Sequence, residues 1–191
     1  FFSESIFFNN KENNYLIEGD IKNNEAILNS KLISLFFNNN LNNLEINKTK
    51  AKTDSAFNLV LSKKYKIKDY NIKSKITLSE IKYKLKSNLL KKYIKDYKNI
   101  INFQNSILNI DYAKNNLIIE GSSNYLINDF KDSLDFKFKK RKEIYNFDFN
   151  IGLDKNEVNI RELNYKKQKN KKANLVASGI YQKNKNLLFE K

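Results

Sequence analysis

Residues 134–153 read LDFKFKKRKEIYNFDFNIGL, and this stretch decides the fold. Apolar and polar residues alternate in both halves, and a charged break over residues 140–143 separates the halves. Successive side chains of a β-strand point to opposite faces of the sheet, so this period of two predicts strands with one apolar and one polar face. The apolar positions form our candidate ligand-binding face: Leu134, Phe136, Phe138, Tyr145, Phe147, Phe149, Ile151 and Leu153.

Short apolar runs recur along the rest of the chain and are separated by Asn/Lys links rather than by Gly or Pro. Examples of these links are Asn23-Asn24, Asn115-Asn116 and Asn184-Lys185. Asparagine accepts positive φ better than most residues, so such links suit tight hairpins between antiparallel neighbours. We predict a mainly β fold: an extended, curved antiparallel sheet, either a trough or a partly closed barrel, of about 12 strands with one helix.

The predicted helix is amphipathic and lies near residues 87–101. Lysines, asparagines and an aspartate fill the opposite side of its helical wheel without interruption. This periodicity is typical of a surface helix. It divides a single β-rich segment into strands over 1–85, a helix over 86–101 and strands over 102–191. The apolar face of the helix would consist of Leu89, Leu90, Tyr93, Ile94, Tyr97 and Ile101.

A short motif ending in glycine occurs three times. Asn13–Gly19 resembles Asn115–Gly121, and Ala173–Gly179 is a looser third copy. The spacings between the copies are unequal, which argues against a solenoid of fixed period. Either one type of strand is reused, or the copies share composition alone.

Composition excludes most catalytic chemistry. The chain has no His and no Cys, so it lacks the residues of a Ser-His-Asp triad, a thiol nucleophile, a usual zinc site or a disulfide. Its four glycines are too scattered for a phosphate-binding loop. We expect a protein that is not an enzyme and has no cofactor and no metal.

The net charge of +15 raises the hypothesis of a nucleic-acid or anionic-surface binder. Arg141 and Arg161 are the only arginines among 36 basic residues. Selection for phosphate contacts would favour arginine, whose planar guanidinium binds phosphate through two hydrogen bonds. An excess of Lys, Asn, Ile, Phe and Tyr is typical of an AT-rich genome, so we rank nucleic-acid binding last.

The apolar face needs a cover larger than the helix. A helix of about 15 residues is about 22 Å long and can shield only two or three strands spaced about 4.8 Å apart. Large exposed apolar patches are unusual in soluble monomers. The remaining face is covered by closure into a barrel, by a second sheet, or by bound lipid; composition leaves a closed structural core and a lipid groove both open.

The order of these segments resembles AsmA-type envelope proteins, with the long YhdP-like members as the nearest match. The resemblance rests on the following segments, mainly in the last part of the chain: Leu89–Ile94, Ile107–Tyr112, Asn116–Gly121, Leu134–Leu153, Ile160–Tyr165 and Leu175–Tyr181. The proline often found near the helix of that family is absent. The family has no catalytic motif to transfer.

The resemblance implies one segment of a long β-sheet groove in the periplasm of Gram-negative bacteria. Such proteins are anchored in the inner membrane and are implicated in phospholipid transport to the outer membrane. The implied partners are phospholipid acyl chains, neighbouring segments of the same longer chain, and the membrane through an anchor outside this sequence. The chain begins Phe-Phe-Ser-Glu without a methionine, so we expect a fragment or a processed product. The alternative function is a structural or adhesive β-rich envelope domain with a closed core.

Overall fold

A computed structural model describes residues 2–11, 13–28, 43–46, 48–85, 88–182 and 187–189. The described part is mainly β, as the alternation predicts. Its strands are β1 Ile6–Lys11, β2 Asn14–Ile27, β3 Leu44–Glu45, β4 Lys50–Ser62, β5 Ile67–Lys84, β6 Ile100–Ala113, β7 Asn116–Ile127, β8 Phe130–Arg141, β9 Ile144–Gly152, β10 Val158–Ile160, β11 Tyr165–Lys167, β12 Asn174–Gln182 and β13 Leu188–Phe189.

One antiparallel sheet holds most of these strands. Its hydrogen-bonded order is β1-β2-β4-β5-β6-β7-β8-β9-β12-β13, and β3 adds to one end of β5. Among the described residues β1 and β13 form the two edges and do not pair with each other, so the sheet is not closed. β10 and β11 form a separate hairpin.

The stretch that decides the fold forms the hairpin of β8 and β9. Phe136 pairs with Phe149, and Phe138 pairs with Phe147. The charged break supplies the turn, in which Lys142 has a φ of 55°. The predicted alternation is therefore confirmed here, and it continues across the sheet.

Asparagine links behave as predicted at some turns only. Asn115 has a φ of 61° in the turn between β6 and β7, which confirms that link. Asn23-Asn24 is not a turn but lies within β2, where the register with β4 shifts between Asn23 and Ala26. Asn184-Lys185 lies outside the described residues.

The predicted amphipathic helix is wrong. A single 3-10 turn, Leu89–Lys92, occupies its start, and no α-helix is present in the described part of the chain. Asp96 and Asn99 have φ of 56° and 61°, values that an α-helix excludes. The segment instead bonds to distant backbone: Asn159 N–H donates to Tyr93 O at 2.8 Å, next to an isolated bridge between Ile94 and Val158.

In β5 and β6 the apolar residues change from even-numbered to odd-numbered positions, or the reverse, at one point along each strand. The pairing of β5 with β6 omits Ser79 opposite Asn105, and Asn105 has a φ of 51°. The side chains of even-numbered Leu78 and odd-numbered Ile81 therefore point to the same face of the sheet. The same holds for Phe103 and Leu108 in β6. An irregularity near Ser79-Glu80 is what the sequence parity requires.

Candidate functional site: an open apolar face

Cross-strand register places the candidate residues in continuous rows on one face of the sheet. One row runs from β2 to β13 through Ile21, Ser55, Ser74, Ile110, Ile119, Phe138, Phe147, Gly179 and Phe189. Phe136 and Phe149 belong to the next row, and Leu134 pairs with Ile151 in the row beyond. Leu153 follows β9 and lines a pocket described below. The structure therefore brings together the predicted positions, and the face extends well beyond them.

Among the residues that the structure describes, no second protein layer covers most of this apolar face. Phe136, Phe138, Phe147 and Phe149 are all only half-buried. Their rings contact one another: the Phe147 and Phe149 centroids lie 5.7 Å apart. In an ordinary core these large rings would be buried, so the centre of the sheet presents an aromatic surface to its surroundings.

Polar side chains on the apolar face satisfy each other. The hydroxyls of Ser55 and Ser74 lie 2.8 Å apart, as do those of Ser106 and Ser123. Lys140 occupies the apolar-face row of Tyr145, and its ammonium lies 5.5 Å from the centroid of that ring. The aliphatic stem of lysine tolerates such a site because its charged end reaches water.

The three glycines of the repeated motif each face a phenylalanine on a neighbouring strand. Gly19 pairs with Phe57, Gly121 with Phe136, and Gly179 with Phe147. A Cβ on Gly121 would lie 2.7 Å from Phe136 Cζ, so the ring occupies the volume that a side chain would need. A Cβ on Gly179 would likewise meet the ring of Phe147, whereas one on Gly19 would meet Ser5 and Ile6 of β1 and its approach. Packing of an aromatic ring over the glycine therefore gives two of the three copies a structural basis.

Two segments, residues 88–99 and 154–173, form a cover over one end of the apolar face. From the mispredicted helix, Leu90, Tyr93, Ile94, Tyr97 and Ile101 pack in or against the buried cluster beneath this cover. These residues therefore cover the sheet as the apolar face of the predicted helix would have done, although the segment is not helical. The side chain of Leu89 lies outside the described part of the structure. The cluster also contains Tyr125 and Ile127 from β7.

Polar contacts hold residues 154–173 together, and one of them, to Asp132 of β8, joins the segment to the sheet. The carboxylate of Asp132 accepts from Lys155 N–H at 3.1 Å, and Asp154 Oδ1 accepts from Ala173 N–H at 2.8 Å. The buried ammonium of Lys167 donates to three backbone carbonyls, those of Asp154, Gln168 and Lys171, each at 3.0 Å. These bonds fix the loop that carries β10 and β11.

An apolar pocket of about 570 Å³ lies between the cover and the sheet. The sheet contributes Phe103, Tyr125, Leu134, Ile151 and Leu175 to its wall, among others. Leu153, Val158, Ile160, Leu163 and Tyr165 line the other side. Leu163 and Tyr165 are 73% and 43% exposed, so they lie at the mouth. Apart from Leu153, sequence analysis missed this side of the pocket, because the bridge between Val158 and Ile94 joins residues far apart in sequence and leaves no local periodicity.

The two tyrosines beneath the cover differ in how their hydroxyls are satisfied. The Tyr125 hydroxyl donates to Gly152 O, and burial raises the pKa of Tyr125 far above its usual value. Burial also raises the pKa of Tyr97, to about 12. Among the described residues the Tyr97 hydroxyl has no hydrogen-bond partner. Neither group is poised for proton transfer near neutral pH.

The opposite face of the sheet is polar and carries mixed charge. Lys137 and Glu120 form an ion pair there, close to Asp135 and Asp148. Two depressions of about 480 and 500 Å³ lie on this face, and about half of the residues that line them have charged or amide side chains. The sheet is thus amphipathic as a whole, with a polar face on one side and the apolar face on the other.

No known family model, curated protein or solved structure matches this chain. Within the described ranges, no helix is long and apolar enough to span a membrane.

Proposed function

We propose that this chain is a lipid-binding and lipid-conducting groove segment of an AsmA-like protein. It would hold phospholipid acyl chains against the apolar face while the head groups stay in water. Its role would be phospholipid transport between the inner and outer membranes, within an envelope protein anchored in the inner membrane and exposed to the periplasm. The activity is non-enzymatic and needs no cofactor.

One observation carries this proposal: among the described residues the apolar rows cross an unclosed sheet, and their aromatic side chains stay only partly buried where the cover ends. Bound acyl chains would complete the burial of these rings. Each methylene removed from water contributes about 0.8 kcal/mol, so lipid supplies the stabilisation that a second sheet would give. A closed structural core, the alternative, would instead require the same rings to be covered by protein.

The edge strands suit the proposed partners within a longer groove. β1 carries Ile6, Phe7 and Phe8, all more than 60% exposed, and its outer edge pairs with no other strand of the described part of the chain. An additional strand from a neighbouring segment of the same longer chain would pair with this edge and extend the apolar rows. We propose that the groove is curved into a trough, so that acyl chains are enclosed on three sides.

The test is mass spectrometry of organic extracts from the purified chain and from Phe147→Asp. We expect phospholipid in the wild-type extract and at least about a tenfold loss in the variant, because a carboxylate in the middle of the aromatic rows would have to be desolvated by acyl chains. Circular dichroism should show that this partly buried site tolerates the charge with the fold intact.

Val176→Asp is the matched control. Val176 lies on the neighbouring strand β12, is 54% exposed, and pairs with Asn150 on the opposite face. This variant should keep its lipid. A wild-type extract free of lipid would overturn the proposal. Unfolding of Phe147→Asp alone would favour a closed core instead.

A further inference from the structure

Positive charge is concentrated on the cover. Its 32 residues contain eleven basic and four acidic residues, a net of +7 out of the chain's +15. The other 159 residues carry the remaining +8. Codon bias would spread lysine over the whole solvated surface, so it gives no reason for this difference between the cover and the sheet.

Several of these charges are next to the residues that line the pocket. Lys91 follows Leu90, Arg161 follows Ile160, and Lys166 follows Tyr165; all three basic residues are exposed. Consecutive Cα atoms are 3.8 Å apart, so the backbone of each basic residue adjoins the backbone of a pocket-lining residue. Lys92 and Lys95, by contrast, form ion pairs with Glu162 and Glu157.

The pocket itself suits the apolar part of an amphiphile. Its volume of about 570 Å³ lies in the usual range for small-molecule sites, and its lining is almost entirely apolar. Exposed Leu163, Tyr165 and Leu175 leave the mouth open. A ligand with an acyl chain and an anionic head group would match both the apolar interior and the basic surroundings.

We propose that this pocket is a fixed site for one acyl chain of a phospholipid whose head group carries a net negative charge. The head group would lie near Lys91, Arg161 and Lys166. This inference rests on the proposed function and adds selectivity to it, since the aromatic rows in the middle of the sheet carry no comparable excess of charge. Zwitterionic lipids would bind the apolar face without preferring the covered end.

The test presents the purified chain with vesicles of equimolar phosphatidylcholine and phosphatidylglycerol, then recovers the protein and measures both lipids by mass spectrometry. We expect phosphatidylglycerol to be enriched over its proportion in the vesicles. The triple variant Lys91→Gln, Arg161→Gln and Lys166→Gln should lower that enrichment about five- to tenfold, because each basic side chain adds attraction for an anionic head group. Added salt should act in the same direction.

Lys52→Gln, Lys73→Gln and Lys75→Gln together form the control for charge. These lysines are exposed on β4 and β5, away from the cover, and their loss changes the net charge equally. The control should keep the enrichment. Equal effects of the two triple variants would overturn the proposal, because the chain's net charge would then account for the selectivity.

Ala173→Trp tests the pocket itself. Ala173 lines the pocket and is partly buried, so an indole there should fill the site and abolish the enrichment. Ala56→Trp, at an exposed position of the polar face, should leave it unchanged. Full enrichment in Ala173→Trp would overturn the proposed site. Equal binding of both lipids by the wild type would overturn the selectivity but leave the lipid groove standing, whereas a lipid-free wild type would overturn both.

Discussion

Tyr97 and Tyr125 show how much one hydroxyl matters in this small core. Both rings are buried, but only the Tyr125 hydroxyl has a described partner, Gly152 O. Removing a bonded hydroxyl leaves its acceptor unpaired, whereas removing an unbonded one removes a desolvated polar group. We expect Tyr125→Phe to lower the free energy of unfolding by about 1–2 kcal/mol and Tyr97→Phe to raise it by up to about 1 kcal/mol. Urea denaturation of the two variants measures both changes. Equal losses of unfolding free energy would contradict the assignment of a hydrogen bond to the Tyr125 hydroxyl alone.

The same two tyrosines should make the free energy of unfolding depend on pH in the alkaline range. The unfolded chain ionises tyrosine near pH 10, while burial raises the pKa of Tyr97 in the folded chain to about 12. Ionisation therefore favours the unfolded chain: the stabilisation is complete below about pH 10 and is lost as the pH rises through 12. Tyr97→Phe should reduce the fall in unfolding free energy across this window. Tyr125 still titrates in that variant, so part of the fall remains; an unchanged slope would refute the role of Tyr97.

At the scale of single elements, local sequence predicts strands well and the cover poorly. β8 and β9 follow from their alternation because every second side chain needs the same face. The segment after Asn88 has an equally regular helical period, yet Asp96 and Asn99 take positive φ and Ile94 forms a bridge with Val158. That bridge joins residues far apart in sequence, so no local pattern could reveal it. The apolar residues predicted for the strands and those predicted for the helix still pack on the sheet. A helix and an irregular segment can both bury the same apolar area, so the burial was predictable although the local structure was not.

The loop carrying β10 and β11 depends on one buried lysine. Lys167 is 5% exposed, and its ammonium bonds three carbonyls. Lys167→Met should leave those carbonyls unpaired and destabilise the loop by about 2–4 kcal/mol while the main sheet stays folded. Hydrogen exchange at the Asn159 and Lys167 amides should accelerate strongly, with little change in β7 and β8. Lys166→Met, at the exposed neighbouring position, is the control; equal protection in both variants would show that the ammonium does not hold the loop.

At the scale of the whole molecule, the number of strands determines how copies of the sheet can join. The described path from β1 to β13 contains ten antiparallel strands, so the two edge strands run in opposite directions. A copy displaced along the sheet therefore sets its β1 antiparallel to β13 of the first, with the apolar faces on the same side. An odd number of strands would give parallel pairing at that junction. The ten-strand path is thus compatible with the groove continuing into a neighbouring sheet of the same kind.

These edges also predict self-association of the isolated chain. Phe7 in β1 is 64% exposed and points to the polar face, so it lies at the junction without belonging to the proposed lipid groove. Sedimentation velocity should show association that increases with concentration. Phe7→Lys should weaken it about ten- to a hundredfold, because burial of one phenylalanine is worth about 1.5–3 kcal/mol and a lysine opposes edge pairing. Ile107→Lys introduces the same charge on the same face of central β6 and should associate like the wild type. Equal weakening by both variants would mean that the chain associates through its polar face, and the pairing of strand edges would then be wrong.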